Sequence, residues 1–149
     1  MKIAPIDLDL YSKELEGGEG FGPKKPGDAG IDLRSRETVE VPKGKTVAIP
    51  LGVAVELDFR EVGWLTGRST TALSYDILTH EGKIDSGYRG TIHCVCTALT
   101  RDVKVSRGER ICQLVVVLIM PPTMWEIADF DDLSETERGA LGLGSSGRI

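Results

Sequence analysis

Short runs of Val, Ile and Thr, each bounded by turn-forming residues, are the feature of the sequence that most constrains its fold. The runs lie at residues 38–42, 45–57, 91–99, 103–105 and 110–120, and Pro, Gly, Lys and Asp separate them. β-branched side chains pack well on a pleated surface, and short runs at close spacing are typical of sandwiches and barrels. The pattern therefore predicts an all-β fold, either a sandwich or a jelly roll.

Helical signals are few. One short helix is expected over 70–75, with Ser69 as its N-cap, and a second helical turn is expected near 133–137. Residues 14–30 follow neither the helical nor the strand period, which predicts a long surface loop. A chain of 149 residues has the size of one ordinary domain.

The charge balance and the apolar runs argue against some classes of function. A formal net charge of -5 argues against a general nucleic-acid binder, since such proteins carry basic clusters that neutralise phosphates. The sequence contains no apolar run of about eighteen residues, and its N-terminus carries acids where a signal peptide needs an apolar core. We expect a soluble, cytoplasmic protein with no stable nucleic-acid or membrane partner.

The three cysteines do not form a disulfide framework. Cys94, Cys96 and Cys112 are odd in number and contain no CxxC pair. His93 lies beside Cys94, but in a strand it points to the opposite face from Cys94 and Cys96, which disfavours a zinc site. Buried structural thiols are the better interpretation.

Polar side chains interrupt several of the apolar runs. Asp32 stands between Ile31 and Leu33 at the start of a strand, Asp85 directly follows an isoleucine, and Gln113 lies inside an apolar strand. Taken singly, each has an ordinary structural explanation, as a turn acid or as an amide that faces solvent from an edge strand.

The C-terminal segment is rich in glycine. It matches GxGxxG at Gly142, Gly144 and Gly147, but no helix follows and no βαβ unit contains the match, so it is not a dinucleotide motif. With an arginine and two serines, the segment could instead bind an anion through its backbone and side chains. A frayed terminus is the competing interpretation.

Taken together and in order, five segments resemble the five motifs of the trimeric dUTP pyrophosphatases (dUTPases). The segments are residues 28–35, 67–73, 81–92, 108–116 and 138–149, and their strongest parts are AGIDL, GKIDSGYRG, GERICQL and the terminal RGxxGxGSSG. The resemblance implies a jelly-roll-like (β-clip) distorted barrel with one short helix, assembled as a homotrimer whose sites draw on more than one chain. It implies Mg²⁺-dependent hydrolysis of dUTP to dUMP and pyrophosphate, which keeps uracil out of DNA and supplies dUMP for thymidylate synthesis. It also implies a β domain over 1–137 and a flexible glycine-rich lid over 138–149.

The resemblance also implies roles for individual residues. Asp85, in a sheltered polar pocket, would activate the water that attacks the α-phosphorus, and Gln113 would position that water. Tyr88 would pack under the deoxyribose, and Asp32 would lie near the Mg²⁺ through water. The ion itself would be held mainly by triphosphate oxygens and water, with no certain protein ligand. Further substrate-binding residues implied by the resemblance are Arg68, Ser69, Thr70, Gly82, Ile84, Arg138, Leu143, Gly144, Ser145 and Ser146.

The sequence departs from the family pattern at several places. The second motif reads GRSTTAL instead of P-R-S-G-L, the interval from Ser69 to Asp85 is short, and Leu143 replaces the usual lid aromatic. The related dCTP deaminases carry a Glu at about the position of Val95, so deamination is disfavoured. A second role in binding a regulatory protein stays open, since some relatives are thought to have one.

Overall fold

The computed structural model describes residues 1–11, 21 and 26–136, and these residues form a mostly β structure with a few short helices. The strands in this part of the chain are β1 (Lys2–Pro5), β2 (Gly30–Arg34), β3 (Val39–Val41), β4 (Thr46–Pro50), β5 (Val53–Glu56), β6 (Glu61–Gly67), β7 (Ile77–Thr79), β8 (Gly82–Ile84), β9 (His93–Ala98), β10 (Val103–Val105) and β11 (Arg110–Leu118). The α-helices are α1 (Leu8–Tyr11) and α2 (Ser69–Tyr75), and 3₁₀ turns cover Pro122–Met124 and Phe130–Asp132.

Antiparallel pairing joins the strands into four sheets. A four-stranded sheet has the order β2-β11-β6-β8, a three-stranded sheet has the order β4-β9-β7, and β1-β5 and β10-β3 form pairs. Alternate side chains of these strands point into one apolar core, as the period of two requires. Leu33, Leu65 and Leu114 enter this core from the four-stranded sheet, and Ile49 and Cys94 enter it from the three-stranded sheet.

The expected run over 45–57 is two strands, because the chain turns at Gly52. Gly52 has φ 65°, a left-handed conformation that glycine adopts without a Cβ clash. Its carbonyl oxygen accepts hydrogen bonds from the N–H groups of Ile6 and Asp7. The turn thus separates β4 from β5 and fixes the N-terminal strand beside them.

The helix prediction needs three corrections. Helix α2 begins at Ser69, and the N-cap position is Arg68, which makes no side-chain capping bond, so the expected N-cap role of Ser69 was wrong. Helix α1 was not anticipated. Residues 133–136 are not helical, and the helical turn of this region lies at Phe130–Asp132 instead.

The thiol prediction is confirmed. Cys94, Cys96 and Cys112 are free and buried, whereas His93 is exposed on the opposite face of β9. The hydrogen bond with the Cys112 thiol raises the pKa of Cys94, and the hydrogen bond with Cys94 raises the pKa of Cys96. Both groups are therefore protonated at neutral pH.

Most of the expected loop over 14–30 lies outside the described residues. Among the helices that the structure does describe, none has the length and apolar character needed to cross a bilayer.

Candidate active site

The outward face of the four-stranded sheet brings three of the motif segments together. Asp32 on β2 and Gln113 on β11 are directly paired, and Gln113 is also paired with Thr66 on β6. The Gln113 Nε2 atom donates a hydrogen bond to the Gly67 carbonyl oxygen at 3.2 Å. Gln113 therefore lies between two polar residues, Asp32 and Thr66, on a strand with a neighbour on each side. The interpretation of Gln113 as an amide that faces solvent from an edge strand does not apply.

Asp32 is the centre of an ion-pair cluster. Its Oδ1 atom accepts a hydrogen bond from Arg68 Nε at 2.8 Å, and its Oδ2 atom lies 3.4 Å from Arg110 Nη1. Arg68 Nη1 also donates to the Arg110 carbonyl oxygen at 3.0 Å. Both oxygens of Asp32 are thus engaged by guanidinium groups, and Arg68 is held at the end of β6 with a fixed orientation.

The first turn of α2 continues this polar cluster. Ser69 and Thr70 are exposed, whereas Thr71 is buried and donates its hydroxyl to the Ile111 carbonyl oxygen at 3.0 Å. The Thr71 bond anchors the helix to β11 and leaves the side chains before it accessible. A surface pocket follows from this arrangement; Thr66, Gly67, Arg68, Ser69, Thr71, Ala72, Ile77, Leu78 and Thr79 line it.

A tight turn after β8 carries the candidate base. The Tyr88 N–H donates to the Asp85 carbonyl oxygen at 3.0 Å, and Arg89 Nη1 donates to the carbonyl oxygens of Ser86 and Tyr88. These bonds fix the backbone of the turn. Asp85 itself is exposed in the single chain, so the sheltered pocket expected for it is not formed by this chain alone.

Tyr88 is held against the backbone of the same turn. Its hydroxyl donates to the Thr91 carbonyl oxygen at 2.9 Å, and the hydroxyl end of its ring lies against Gly90. A Cβ atom on Gly90 would lie 2.6 Å from Cζ of Tyr88, closer than two non-bonded carbon atoms can approach.

Strand β8 places this turn at the edge of the four-stranded sheet, because Gly82 and Ile84 pair with Leu65 and Gly63 on β6. The adjoining pocket is lined by Lys83, Ile84, Asp85, Tyr88, Thr91, Ile92 and His93.

The two groups of candidate residues lie apart on one chain. Ile84 pairs with Gly63 on the neighbouring strand, and Gly63 pairs with Val116 on the strand after that. Gln113 lies three residues before Val116, and Asp85 lies one residue after Ile84 in the opposite direction, so the two residues are two strands and four residues apart. With strand spacings of about 4.8 Å and a rise of about 3.3 Å per residue, the Cα atoms of Asp85 and Gln113 are roughly 16 Å apart. The two side chains of one chain cannot hold one water molecule between them.

Arg138, Leu143, Gly144, Ser145 and Ser146 lie outside the described residues. Within the described ranges, no group of three or more His, Cys, Asp or Glu side chains is placed to hold a metal ion. Asp32, the one carboxylate considered near the metal, has arginine partners.

Several residues of these two surfaces were not singled out from the sequence. Arg110 pairs with Asp32, Gly90 supports the Tyr88 ring, and Thr91 accepts the Tyr88 hydroxyl through its main chain. Of these three residues, only Gly90 carried a signal in the sequence, since a glycine two residues after Tyr88 indicates a position with no room for a side chain. A main-chain acceptor such as the Thr91 carbonyl leaves no trace in residue type.

Comparison with known proteins identifies the family of the chain. The family model described as dUTPase matches residues 18–147. Curated proteins named deoxyuridine 5'-triphosphate nucleotidohydrolase are similar over 127 residues, with 39% identity in Mycolicibacterium gilvum and 40% in Mycobacterium tuberculosis, and each alignment covers 81% of this chain and 82% of the relative. The dUTPase of Staphylococcus bacteriophage 80alpha, solved with dUPNHPP, has a TM-score of 0.78 at 26% identity and covers 98% of this chain and 97% of its own. The chain therefore belongs to the dUTPase family.

Proposed function

We propose that the protein hydrolyses dUTP to dUMP and pyrophosphate by attack of water on the α-phosphorus. This reaction keeps uracil out of DNA and supplies dUMP for thymidylate synthesis. The observation that carries the proposal is the pairing of Asp32 and Gln113 beside Arg68 on one sheet face. Three separate sequence motifs thereby converge on one polar surface in a chain of this family.

The phosphates bind at Arg68 and the first turn of α2. The ion pair with Asp32 orients the Arg68 guanidinium before substrate arrives, which reduces the entropy lost on binding. Ser69 and Thr70 are exposed beside it and offer hydroxyl groups to phosphate oxygens. The lid segment 138–149 extends this contact, with Arg138 toward the γ-phosphate and with Leu143, Gly144, Ser145 and Ser146 around the chain of phosphates.

Asp85 and Gln113 act on the attacking water. Asp85 accepts one proton of the water as its oxygen bonds to the α-phosphorus, and the bond from that phosphorus to the bridging oxygen of pyrophosphate breaks. Because Gln113 Nε2 is bonded to the Gly67 carbonyl oxygen, its Oε1 atom is turned to accept the other hydrogen of the water.

The donor set suits a magnesium ion that arrives with the triphosphate. Mg²⁺ favours phosphate oxygens and water over an all-protein cage, and Asp32 can reach such an ion only through water while its oxygens contact two arginines. When bound, the ion neutralises charge that develops on the phosphates. The residues of this chain contribute the arginine, hydroxyl and carboxylate groups around that complex.

Selection for the deoxynucleotide rests on the turn after β8. Tyr88 packs under the deoxyribose, where a 2'-hydroxyl would clash or lose its hydrogen bonds on burial. Main-chain groups of Gly82 and Ile84 lie beside the base. Because these two residues are paired with β6, their main-chain groups hold a fixed position against which the uracil binds.

The complete site forms between chains of a homotrimer with jelly-roll-like protomers. The separation of roughly 16 Å between Asp85 and Gln113 on one chain supports this arrangement, since a neighbouring chain can supply the missing group. Exposed apolar residues support it too, because Ile127 and Phe130 are 99% and 85% exposed on the single chain. The cytoplasmic location, the division at residue 137 and a regulatory protein partner stay predictions.

A nucleotide panel tests the proposed function. Purified protein is incubated with Mg²⁺ and dUTP, dTTP, dCTP or UTP, and released pyrophosphate and ammonia are measured. We expect pyrophosphate from dUTP at a rate at least about tenfold above each other nucleotide. Absence of pyrophosphate from dUTP contradicts the proposal, and ammonia from dCTP would identify a deaminase instead.

A further inference from the structure

The carbonyl oxygen of Thr91 accepts two side-chain hydrogen bonds beside the candidate base. The Tyr88 hydroxyl lies 2.9 Å from it, and His93 Nδ1 also lies 2.9 Å from it. A carbonyl oxygen has two lone pairs and no hydrogen, so both partners must donate. The His93 imidazole therefore carries a hydrogen on Nδ1.

His93 is fixed to the sheet, whereas Thr91 is outside every strand. His93 is the first residue of β9 and pairs with Pro50 on β4. Thr91 lies between the turn and β9, and the hydrogen bonds that the structure describes for its carbonyl oxygen come from the two side chains. The His93 imidazole thus connects the sheet to the Thr91 carbonyl oxygen, which accepts the hydrogen bond from the Tyr88 hydroxyl.

We propose that His93 is a positioning residue for sugar selection, acting through the Thr91 carbonyl on Tyr88. The inference rests on the proposed function, in which Tyr88 packs under the deoxyribose. The Tyr88 ring is confined on one side by Gly90, and its hydroxyl is held at the Thr91 carbonyl, so the direction of that carbonyl sets the position of the phenol. With Nδ1–H donating, His93 restrains the Thr91 carbonyl, and both residues line the same pocket as Tyr88 and Asp85.

The second histidine of the chain is a matched control. His80 Nε2 lies 2.7 Å from the Thr97 hydroxyl, a group that can donate or accept. The geometry therefore dictates no tautomer for His80, and His80 does not line the pocket of Tyr88.

The first experiment needs no catalytic activity. ¹⁵N-resolved NMR of the imidazoles is recorded on the intact protein at about pH 8.5, roughly two units above the ordinary histidine pKa. His93 is expected in the Nδ1–H tautomer. A neutral His93 with its hydrogen on Nε2 overturns the proposal, because Nδ1 could not then donate to Thr91.

The second experiment measures the ratio of kcat/KM for dUTP to that for UTP. One neutral hydrogen bond is lost in His93→Leu, so the ratio is expected to fall about two- to tenfold. His93→Asn retains an N–H donor near the Nδ1 position, and we expect it to keep the ratio within about twofold of wild type, as His80→Leu does. An unchanged ratio in His93→Leu overturns the proposal.

A double-mutant cycle separates positioning from a general effect on the site. In a Tyr88→Phe background the phenol bond is already absent, so adding His93→Leu is expected to lower the ratio no further. The same further loss in both backgrounds overturns the proposal. If the wild type released no pyrophosphate from dUTP, the proposed function would fail, while the tautomer measurement would still decide the structural link.

Discussion

Replacing Gly90 with alanine tests whether the position of Tyr88 controls substrate selection. The added Cβ would lie 2.6 Å from Tyr88 Cζ and 3.0 Å from Cε2. Carbon atoms in contact are about 3.5–4.0 Å apart, so the ring must move by about 1 Å. Tyr88 is 43% exposed, so its ring can move toward solvent, and the cost falls on the Thr91 hydrogen bond and on the sugar site rather than on folding.

The expected result is a catalytic defect in a stable protein. A misplacement of about 1 Å can cost up to a hundredfold in rate, so we expect kcat/KM for dUTP to fall about ten- to a hundredfold and the ratio of dUTP to UTP to fall with it. Pyrophosphate release under initial-rate conditions gives both values, and a thermal melt checks the fold. Gly90→Ala with wild-type kinetics and an unchanged ratio would refute the reasoning.

Gly87→Ala is the matched control in the same turn. A Cβ on Gly87 meets no atom within 4 Å. We expect its kcat/KM to stay within about twofold of wild type, because surface substitutions away from special contacts change free energies by about 0.5 kcal/mol or less. Equal defects in Gly87→Ala and Gly90→Ala would show that the turn, and not the ring contact, is being tested.

The remaining predictions concern the base, the lid and acid stability. Asp85→Asn should lower kcat about 10²- to 10⁴-fold with little change in KM; a full rate in this variant contradicts a base role. Deletion of residues 138–149 should leave the melting temperature nearly unchanged but lower kcat/KM at least about tenfold, since the charge-assisted contact proposed between Arg138 and the γ-phosphate is lost; an unfolded product contradicts the division at residue 137. The hydrogen bond from Arg107 to Asp7, at 2.6 Å, holds the pKa of that carboxyl below its ordinary value of 3.8. A carboxylate whose pKa is lower in the folded state stabilises the fold above about pH 3.8, and this stabilisation is lost as the pH falls further. Asp7→Asn should therefore lower the melting temperature at pH 7, and the difference from wild type should shrink toward pH 3. Asp9→Asn, at an exposed position of helix α1 just after Asp7, is the control, and a deficit that is constant with pH contradicts the linkage.

Much of the β structure was predictable because buried strands leave a strong pattern. The runs around β3, β9, β10 and β11 were found because they are rich in Val, Ile and Thr, although the buried side chains of β9 are Cys94, Cys96 and Ala98. Strands β1, β6 and β7 were missed. β6 contains two glycines and β7 has only three residues, so tertiary contacts rather than local pattern specify them. At Gly63 of β6, an added Cβ would lie 3.1 Å from the Ile84 side chain, a close approach that propensity cannot reveal.

The candidate site was predictable as a set of residues but not as a geometry. Asp32, Arg68 and Gln113 were selected from motifs, and the structure brings these three together. The separation of Asp85 from Gln113 followed only from strand order and register. The N-cap assignment of Ser69 failed because Arg68 takes the extended conformation before α2, and its side chain is drawn to Asp32 instead of capping the helix.

The central claim is that Asp85 of one chain works with Gln113 of another, and mixing two inactive variants tests it most directly. Asp85→Asn and Gln113→Ala proteins are unfolded together in equal amounts and refolded, and dUTP hydrolysis is measured. In randomly assembled trimers, half of the chains carry an intact Asp85 and half carry an intact Gln113, so about one quarter of the sites regain both groups. We predict about one quarter of the activity of wild-type protein refolded in the same way. Activity no higher than that of either variant refolded alone would contradict the account.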